Sequence, residues 1–489
     1  MRIPLGGQFY QSDSLPISDQ ECVNFYMNKP QAIGVTDENL FVTPGISEAT
    51  TAGTGINRGI HEFLGKPYVV NGGELYRIDQ SISSSGVISY SAVQVGSGVT
   101  IAGSGRVIMA DNGADGDQLC IVVPELNSQF NAYIYDQSTD TLVAVSDSDF
   151  DGPVSSVRYI DGYFAFTKKN DQKWFISALR NGLNYDALDF IEAEADPDNI
   201  VGIEILLNEP VIFGTNTLES FQNIGGADFP FQRVAGSVQR KGLDSQFAIV
   251  EVNDFLVFLG SQANETPSIW VTDGGRPQPL STTAINNEIA KYTPQTIENS
   301  FAWRYSQDGA QFVGFTFPGQ ATFVYDFTAQ EWHTRESIDS QLQNVPYRIN
   351  GVCEAYRELF IADGLSNKVG ILDRDVYTEF GVPIRRRFTT PQIDNEGNPF
   401  FVDSLEVRQE SGVGNTSGQG VDPMVLMSFS TDGGRTYSTK MPRSFGELGD
   451  YRFRTIWNSL GRVSTQICFK FEFTDPVKWV VQKVEVNFS

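Results

Sequence analysis

An apolar strand, a polar turn and a second strand return along this chain every 44 to 57 residues, which restricts it to folds built from repeated small sheets. The apolar strands anchor at Tyr68, Leu119, Tyr163, Val211, Phe255, Phe312 and Leu359. Turns rich in Gly, Asn or Asp follow most anchors, as in Gly72-Gly73-Glu74-Leu75-Tyr76 and Val369-Gly370-Ile371-Leu372-Asp373. This is hairpin grammar, because those residues tolerate positive φ between strand formers. A period near that of propeller blades, about 40 to 50 residues, predicts an all-β β-propeller of six or seven blades. Radial closure would solve the sheet-edge problem, and a strand from the N-terminal arm is a candidate for closing the ring.

The predicted division is an N-terminal arm over 1–57, a propeller over 58–380 and a C-terminal antiparallel β-sandwich-like domain over 381–489. In the last, Leu405-Glu406-Val407-Arg408 and Cys468-Phe469-Lys470-Phe471-Glu472-Phe473 alternate with the period of a half-buried strand. Residues 410–421 are rich in Gly and Ser and predict an exposed loop. Helical periods are scarce; the best candidates are short, over 284–291 and 185–194.

With 60 acidic against 35 basic residues the net charge is −25, and such a surface repels nucleic acid rather than binding it tightly. The same charge suits a wall past which DNA slides without sticking. No apolar run reaches the roughly 20 residues needed to cross a bilayer as a helix, so no membrane insertion is expected. Met1–Gln11 is polar and unlike a signal peptide. Cys22, Cys120, Cys353 and Cys468 lie far apart, which predicts reduced thiols and synthesis in a cytosol.

Catalytic material is sparse. Only His61 and His333 are available, too few for a multi-histidine metal site, and both read as structural. No phosphate-binding Gly-Lys-Ser/Thr or dinucleotide fingerprint occurs. The reading is therefore a non-enzyme with no cofactor, metal or catalytic residue. Ser430-Thr431-Asp432-Gly433-Gly434-Arg435-Thr436-Tyr437 looks like the Asp-box of glycan-handling propellers, where the Asp organises a hairpin turn. It occurs once, so a glycan-binding or glycan-hydrolysing propeller is kept only as the alternative. Two arginine groups are candidates for an interface or a DNA channel. Arg385, Arg386 and Arg387 alternate in direction if they form a strand, and Arg452, Arg454 and Arg462 lie in the C-terminal domain.

Motifs in a fixed order then carry a resemblance. They are Val23-Asn24-Phe25-Tyr26, Thr43-Pro44-Gly45-Ile46, Arg58-Gly59, Ala102-Gly103-Ser104-Gly105-Arg106-Val107-Ile108-Met109-Ala110, Ser156-Val157-Arg158, Gln239-Arg240-Lys241-Gly242, Leu460-Gly461-Arg462 and Asp475-Pro476-Val477. Together they resemble the tail accessory factor, or packaged-DNA-stabilisation (tail hub, nozzle) protein, of short-tailed bacteriophages. Residues 114–129 and 410–421 depart from the pattern. The resemblance implies a structural virion protein in the phage tail, made in the host cytoplasm. It implies a six-copy ring of this chain that closes the DNA exit and retains the packaged genome. Its implied partners are further copies of itself, a portal-adaptor ring, a tailspike or tail fibre, a tail needle or plug, and packaged double-stranded DNA passing through without sequence-specific binding. The stretches 264–279 and 337–346 read as inserts where neighbours would be met.

Overall fold

The computed structural model describes residues 2–12, 14–30, 36–193, 197–226 and 229–489. Strand accounts for 52% and helix for 3%, so the all-β expectation holds. The chain forms two compact units, one of 48–305 with 348–371, the other of 1–47, 306–347 and 372–489.

All seven anchors fall on the second strand of a four-stranded meander. Those strands are Lys66–Asn71, Gln118–Val122, Tyr163–Lys168, Glu209–Gly214, Phe255–Gly260, Ala310–Thr316 and Glu358–Asp363. Seven repeats therefore correspond to seven β-meanders. The second strand is the most buried in each, apolar on both faces: Val69, Val70, Ile121, Phe164, Phe166, Phe213 and Phe258 are all at most 1% exposed. Within the first unit both faces are covered because neighbouring meanders pack face to face, and a two-sided apolar run is what such a strand requires.

The first unit holds five complete meanders, the opening residues of the sixth and the seventh. Its apolar clusters sit between neighbours. One joins the first and second meanders through Tyr68, Val107 and Tyr135, and another joins the second and third through Ile134 and Phe164. Further clusters join the third to the fourth and the fourth to the fifth. A last cluster joins the first to the seventh through Val69, Ile78, Phe360 and Val369. The seventh meander takes its outer strand from the start of the chain: in sheet order, Lys368–Asp373 is followed by Gly45–Thr51. Within this unit Ala52 N–H donates to Asn367 O at 2.9 Å and Lys368 pairs with Glu48 at 2.7 Å. The N-terminal arm thus supplies a closing strand.

Arg58 fixes the junction between the first two meanders. It is 3% exposed, and it donates to the carbonyls of Gly105 (2.7 Å), Gly72 (2.8 Å), Ile101 (3.1 Å) and Ala102 (2.9 Å). Glu125, 3.9 Å from the same guanidinium, accepts from the backbone N–H of Gly105 at 2.7 Å and from that of Ser104. This explains Ala102-Gly103-Ser104-Gly105: a Cβ on Gly103, whose φ is +82°, would lie 2.0 Å from the Glu125 carboxylate.

The second unit is a β-sandwich. One sheet orders Thr455–Val463, Phe400–Gln409, Val480–Phe488, Asn39–Val42 and Phe25–Asn28, with Arg2–Ile3 also on Val480–Phe488. The other runs from Ala310–Thr316, Thr322–Asp326 and Glu331–Ile338 through Cys22–Val23 and Arg386–Thr389 to Gln466–Phe473, Met424–Ser430 and Met441–Ser444. Phe25, Phe388, Phe471, Phe473, Trp457 and Trp479 fill the space between them, with Phe473 and Trp479 ring centroids 4.7 Å apart. Much of the sandwich therefore comes from the arm.

Three expectations are corrected. The helix expected over 185–194 is not there as far as residue 193, position 194 lying outside the described residues: Asn181–Glu192 is a strand, in register with Lys173–Ala178 through Trp174 opposite Ile191 and Phe175 opposite Phe190. Cross-strand aromatic packing overrides a weak helical pattern there. Thr283–Ile289 is a helix, as expected, capped by the Thr282 hydroxyl. The 264–279 stretch is no insert, since Ser268–Thr272 and Gln278–Pro279 are the outer strands of the fifth meander. The loop over 410–421 packs at its ends. Asn415 N–H donates to Gly420 O at 2.7 Å, and Gly420 lies so near Val477 that a Cβ would come within 2.9 Å.

Replacing Arg58 by Met leaves several buried carbonyls without donors, and is expected to cost about 3–5 kcal/mol. Denaturant titration checks this as a lowered midpoint; an unchanged midpoint would refute the role of Arg58.

Candidate functional site

The two arginine groups are placed differently. Arg386 is fully buried; it donates to Tyr377 O (3.3 Å) and Asp475 O (3.4 Å), and burial lowers its pKa to about 10. It offers no surface. Arg387 forks onto Glu336 at 2.7 and 3.2 Å and reaches Glu21 at 3.4 Å, while burial pushes the Glu336 carboxyl up against the pull of Arg387. Arg385 donates to Asn344 Oδ1 at 3.1 Å. The run thus ties the strand Arg386–Thr389 to its own unit.

Arg452, Arg454 and Arg462 are exposed. Arg454 pairs with Glu406 at 2.5 Å, whereas Arg452 and Arg462 have no polar partner among the described residues. Arg452 and Arg454 stand at the start of Thr455–Val463 and Arg462 near its far end, roughly 24 Å away at the rise of a strand. They are two sites rather than one. Beside Arg452 the loop exposes Leu448 (55%), Tyr451 (76%) and Phe453 (37%). Aromatic residues with an unpaired arginine are the composition of an interface centre.

The Asp-box is a turn. Asp432 accepts from Thr436 N–H (2.9 Å), Thr436 Oγ1 (2.6 Å) and Ser430 Oγ (2.7 Å). These bonds, led by that from the Thr436 hydroxyl, hold its carboxyl well below the usual range. Every oxygen it has is spent on local backbone order. His333 is buried in the second unit, its pKa depressed by burial and by Arg335.

Polar side chains gather instead along the seven inner strands of the first unit, and they pair between neighbours. His61 meets Asp111 at 2.7 Å across the first and second meanders. Arg158 forks onto Glu204 at 2.8 and 2.6 Å across the third and fourth, and Arg304 reaches Glu251 at 3.2 Å across the sixth and fifth. From the seventh, Asn350 accepts from Arg106. They line a cavity of about 470 Å³ and the recess beside it. The reading of His61 as a structural or surface histidine agrees with its pairing to Asp111, but the belt as a whole was not foreseen. Its signal is a polar residue breaking the strand that precedes each anchor.

Nearby, Asp244 is largely buried: Oδ1 accepts from Ser261 at 2.8 Å and Oδ2 has no hydrogen bond. Burial raises its pKa to about 6.

Comparison with known proteins now bears on the whole chain. A family profile described as the β-propeller of bacteriophage P22 Gp10 matches residues 1–377, and one described as the β-sandwich of the same protein matches 385–489. The chain belongs to the bacteriophage P22 Gp10 family. A curated relative, the tail hub protein gp10 of Salmonella phage P22, is 24% identical over 445 residues, covering 87% of this chain and 86% of its own. Among solved structures, the extracellular domain of the one-component system BT4673 of B. thetaiotaomicron aligns with a TM-score of 0.43 at 8% identity, covering 89% of this chain and 57% of that one. U3-55K aligns with a TM-score of 0.38 at 12% identity over 68% of this chain and 99% of that one. Membership in the Gp10 family gives the chain a structural role in the virion, at a bacteriophage tail hub.

Because its folded pKa lies above the ordinary 3.8, Asp244 contributes stability that is present below about pH 4 and is lost as pH rises through about 6. Asp244→Asn is therefore expected to flatten stability between pH 5 and 7 and to raise it at pH 7 by about 1–3 kcal/mol. Unfolding midpoints at the two pH values test this.

Proposed function

We propose that this chain forms the six-copy hub or nozzle ring of a short-tailed phage, closing the DNA exit channel to retain the packaged genome. The observation that carries the reading is the match to one tail hub protein through both the propeller and the sandwich, in order and over 87% of the chain. The ring binds the portal-adaptor ring on one side and gives tailspikes or fibres, and a needle-like plug, their attachment. DNA passes through without sequence-specific contact, in keeping with a net charge of −25. The chain acts as arm, propeller and terminal β domain, with no catalytic step.

A cyclic ring of one chain needs a head-to-tail interface that closes. The loop carrying Leu448, Tyr451, Arg452 and Phe453 suits one side of it, since its apolar and aromatic groups are exposed and its arginine has no polar partner among the described residues. Arg462, beside exposed Phe401 in the register, suits a second contact. Residues 339–343, the tip of the hairpin between Glu331–Ile338 and Asn344–Pro346, expose Leu342 (74%) and suit a spike contact.

Cryo-electron microscopy of purified virions, with the protein identified by mass spectrometry, is expected to show six copies around the DNA exit; absence from particles would refute the hub reading. The triple substitution Leu448→Ser, Tyr451→Ser, Phe453→Ser is expected to abolish incorporation into particles and leave the soluble chain's circular dichroism unchanged. Normal incorporation would remove this loop from the interface.

A further inference from the structure

The cation Arg106 stands out in the polar belt of the first unit. Each other arginine there has a carboxylate: Arg158 has Glu204 and Arg304 has Glu251. Arg106 gives one N–H to Asn350 O at 2.6 Å and one to Asn350 Oδ1, and meets no carboxylate among the described residues. A guanidinium carries five N–H donors, so three remain for a further acceptor. In a chain with 60 acidic residues, the absence of any beside this group is not for want of supply.

The group is also held in place. Its guanidinium lies 3.5 Å from the centroid of the Phe301 ring and 5.9 Å from that of Phe247, which fixes its plane and leaves its edge for hydrogen bonding. It follows directly on the Ala102–Gly105 turn that Arg58 and Glu125 lock. Burial alone depresses its pKa, to about 9, with no carboxylate acting on it. Arg106 is partly exposed where it lines the cavity, and an anion there would pair with a guanidinium that no carboxylate among the described residues satisfies. The cavity has room for one, at about 470 Å³, and is walled by Trp303 and Phe247 as well as by polar groups.

We infer that the propeller cavity is a binding site for a small oxyanion, a carboxylate or a phosphate, held in a planar fork by Arg106 with Asn350 orienting the guanidinium. Arginine matches two oxygens of such a group at once, which a lysine does not. The site is a property of the first unit and stands apart from the tail role.

The test is calorimetric titration of the full chain, at fixed pH and ionic strength, with sodium acetate and separately with sodium phosphate. Saturable one-site binding is expected with at least one, and saturation by acetate alone or phosphate alone identifies the oxyanion. Arg106→Gln is expected to abolish the heat. Arg106→Lys, which keeps the charge and serves if the Gln variant does not fold, is expected to weaken binding tenfold or more. No saturable binding of either anion to the unaltered chain, or unchanged binding in the variants, overturns the site.

Discussion

A sheet edge left open is a row of unmet backbone donors and acceptors, and the architecture of the first unit is an answer to that constraint. In the first unit the second strand of a meander is buried on both faces, and apolar clusters join the first meander to the second, the second to the third, the third to the fourth and the fourth to the fifth. The first and the last meet through Val69, Ile78, Phe360 and Val369, and the last is completed by residues 48–51. The polar belt on the inner strands depends on this too. His61, Arg158 and Arg304 find partners because neighbouring inner strands come side by side.

The second unit uses the same device. Phe25–Asn28 and Asn39–Val42 extend one sheet of the sandwich, Cys22–Val23 sits inside the other, and Phe25 packs on Phe388 and Trp479 at 5.8 and 5.2 Å. Arg386 and Arg387 belong to this scaffolding. One is sealed among carbonyls and the other is clamped by Glu336 and Glu21. The basic run reads more readily as salt bridging to the acidic majority than as a contact patch, and Arg387 with Glu336 and Glu21 makes such bridges; Arg452 and Arg462 have no polar partner among the described residues.

The repeat was legible because burial on both faces forces an uninterrupted apolar run, as in Phe255-Leu256-Val257-Phe258, and such runs are conspicuous. The alternation of Cys468 to Phe473 was legible for the complementary reason, one buried face. What the sequence concealed is whatever depends on residues far apart in the chain. Nothing in Glu48 announces a partner at Lys368, and nothing in Arg158 announces Glu204. The strand Asn181–Glu192 was misread because its exposed stretch Asp186-Ala187-Leu188 dilutes the period that its aromatic partners enforce. The Ala102–Gly105 turn was visible as a motif, but its purpose needed Glu125 and Arg58 in place around it.

The borrowed outer strand also sets a clock on synthesis. Residues 48–51 leave the ribosome with nothing to pair with, and their partner 368–371 follows about 320 residues later. At ~5–20 residues per second that is roughly 15 to 60 s, the time in which the intervening meanders are made, before the seventh meander can receive its outer strand.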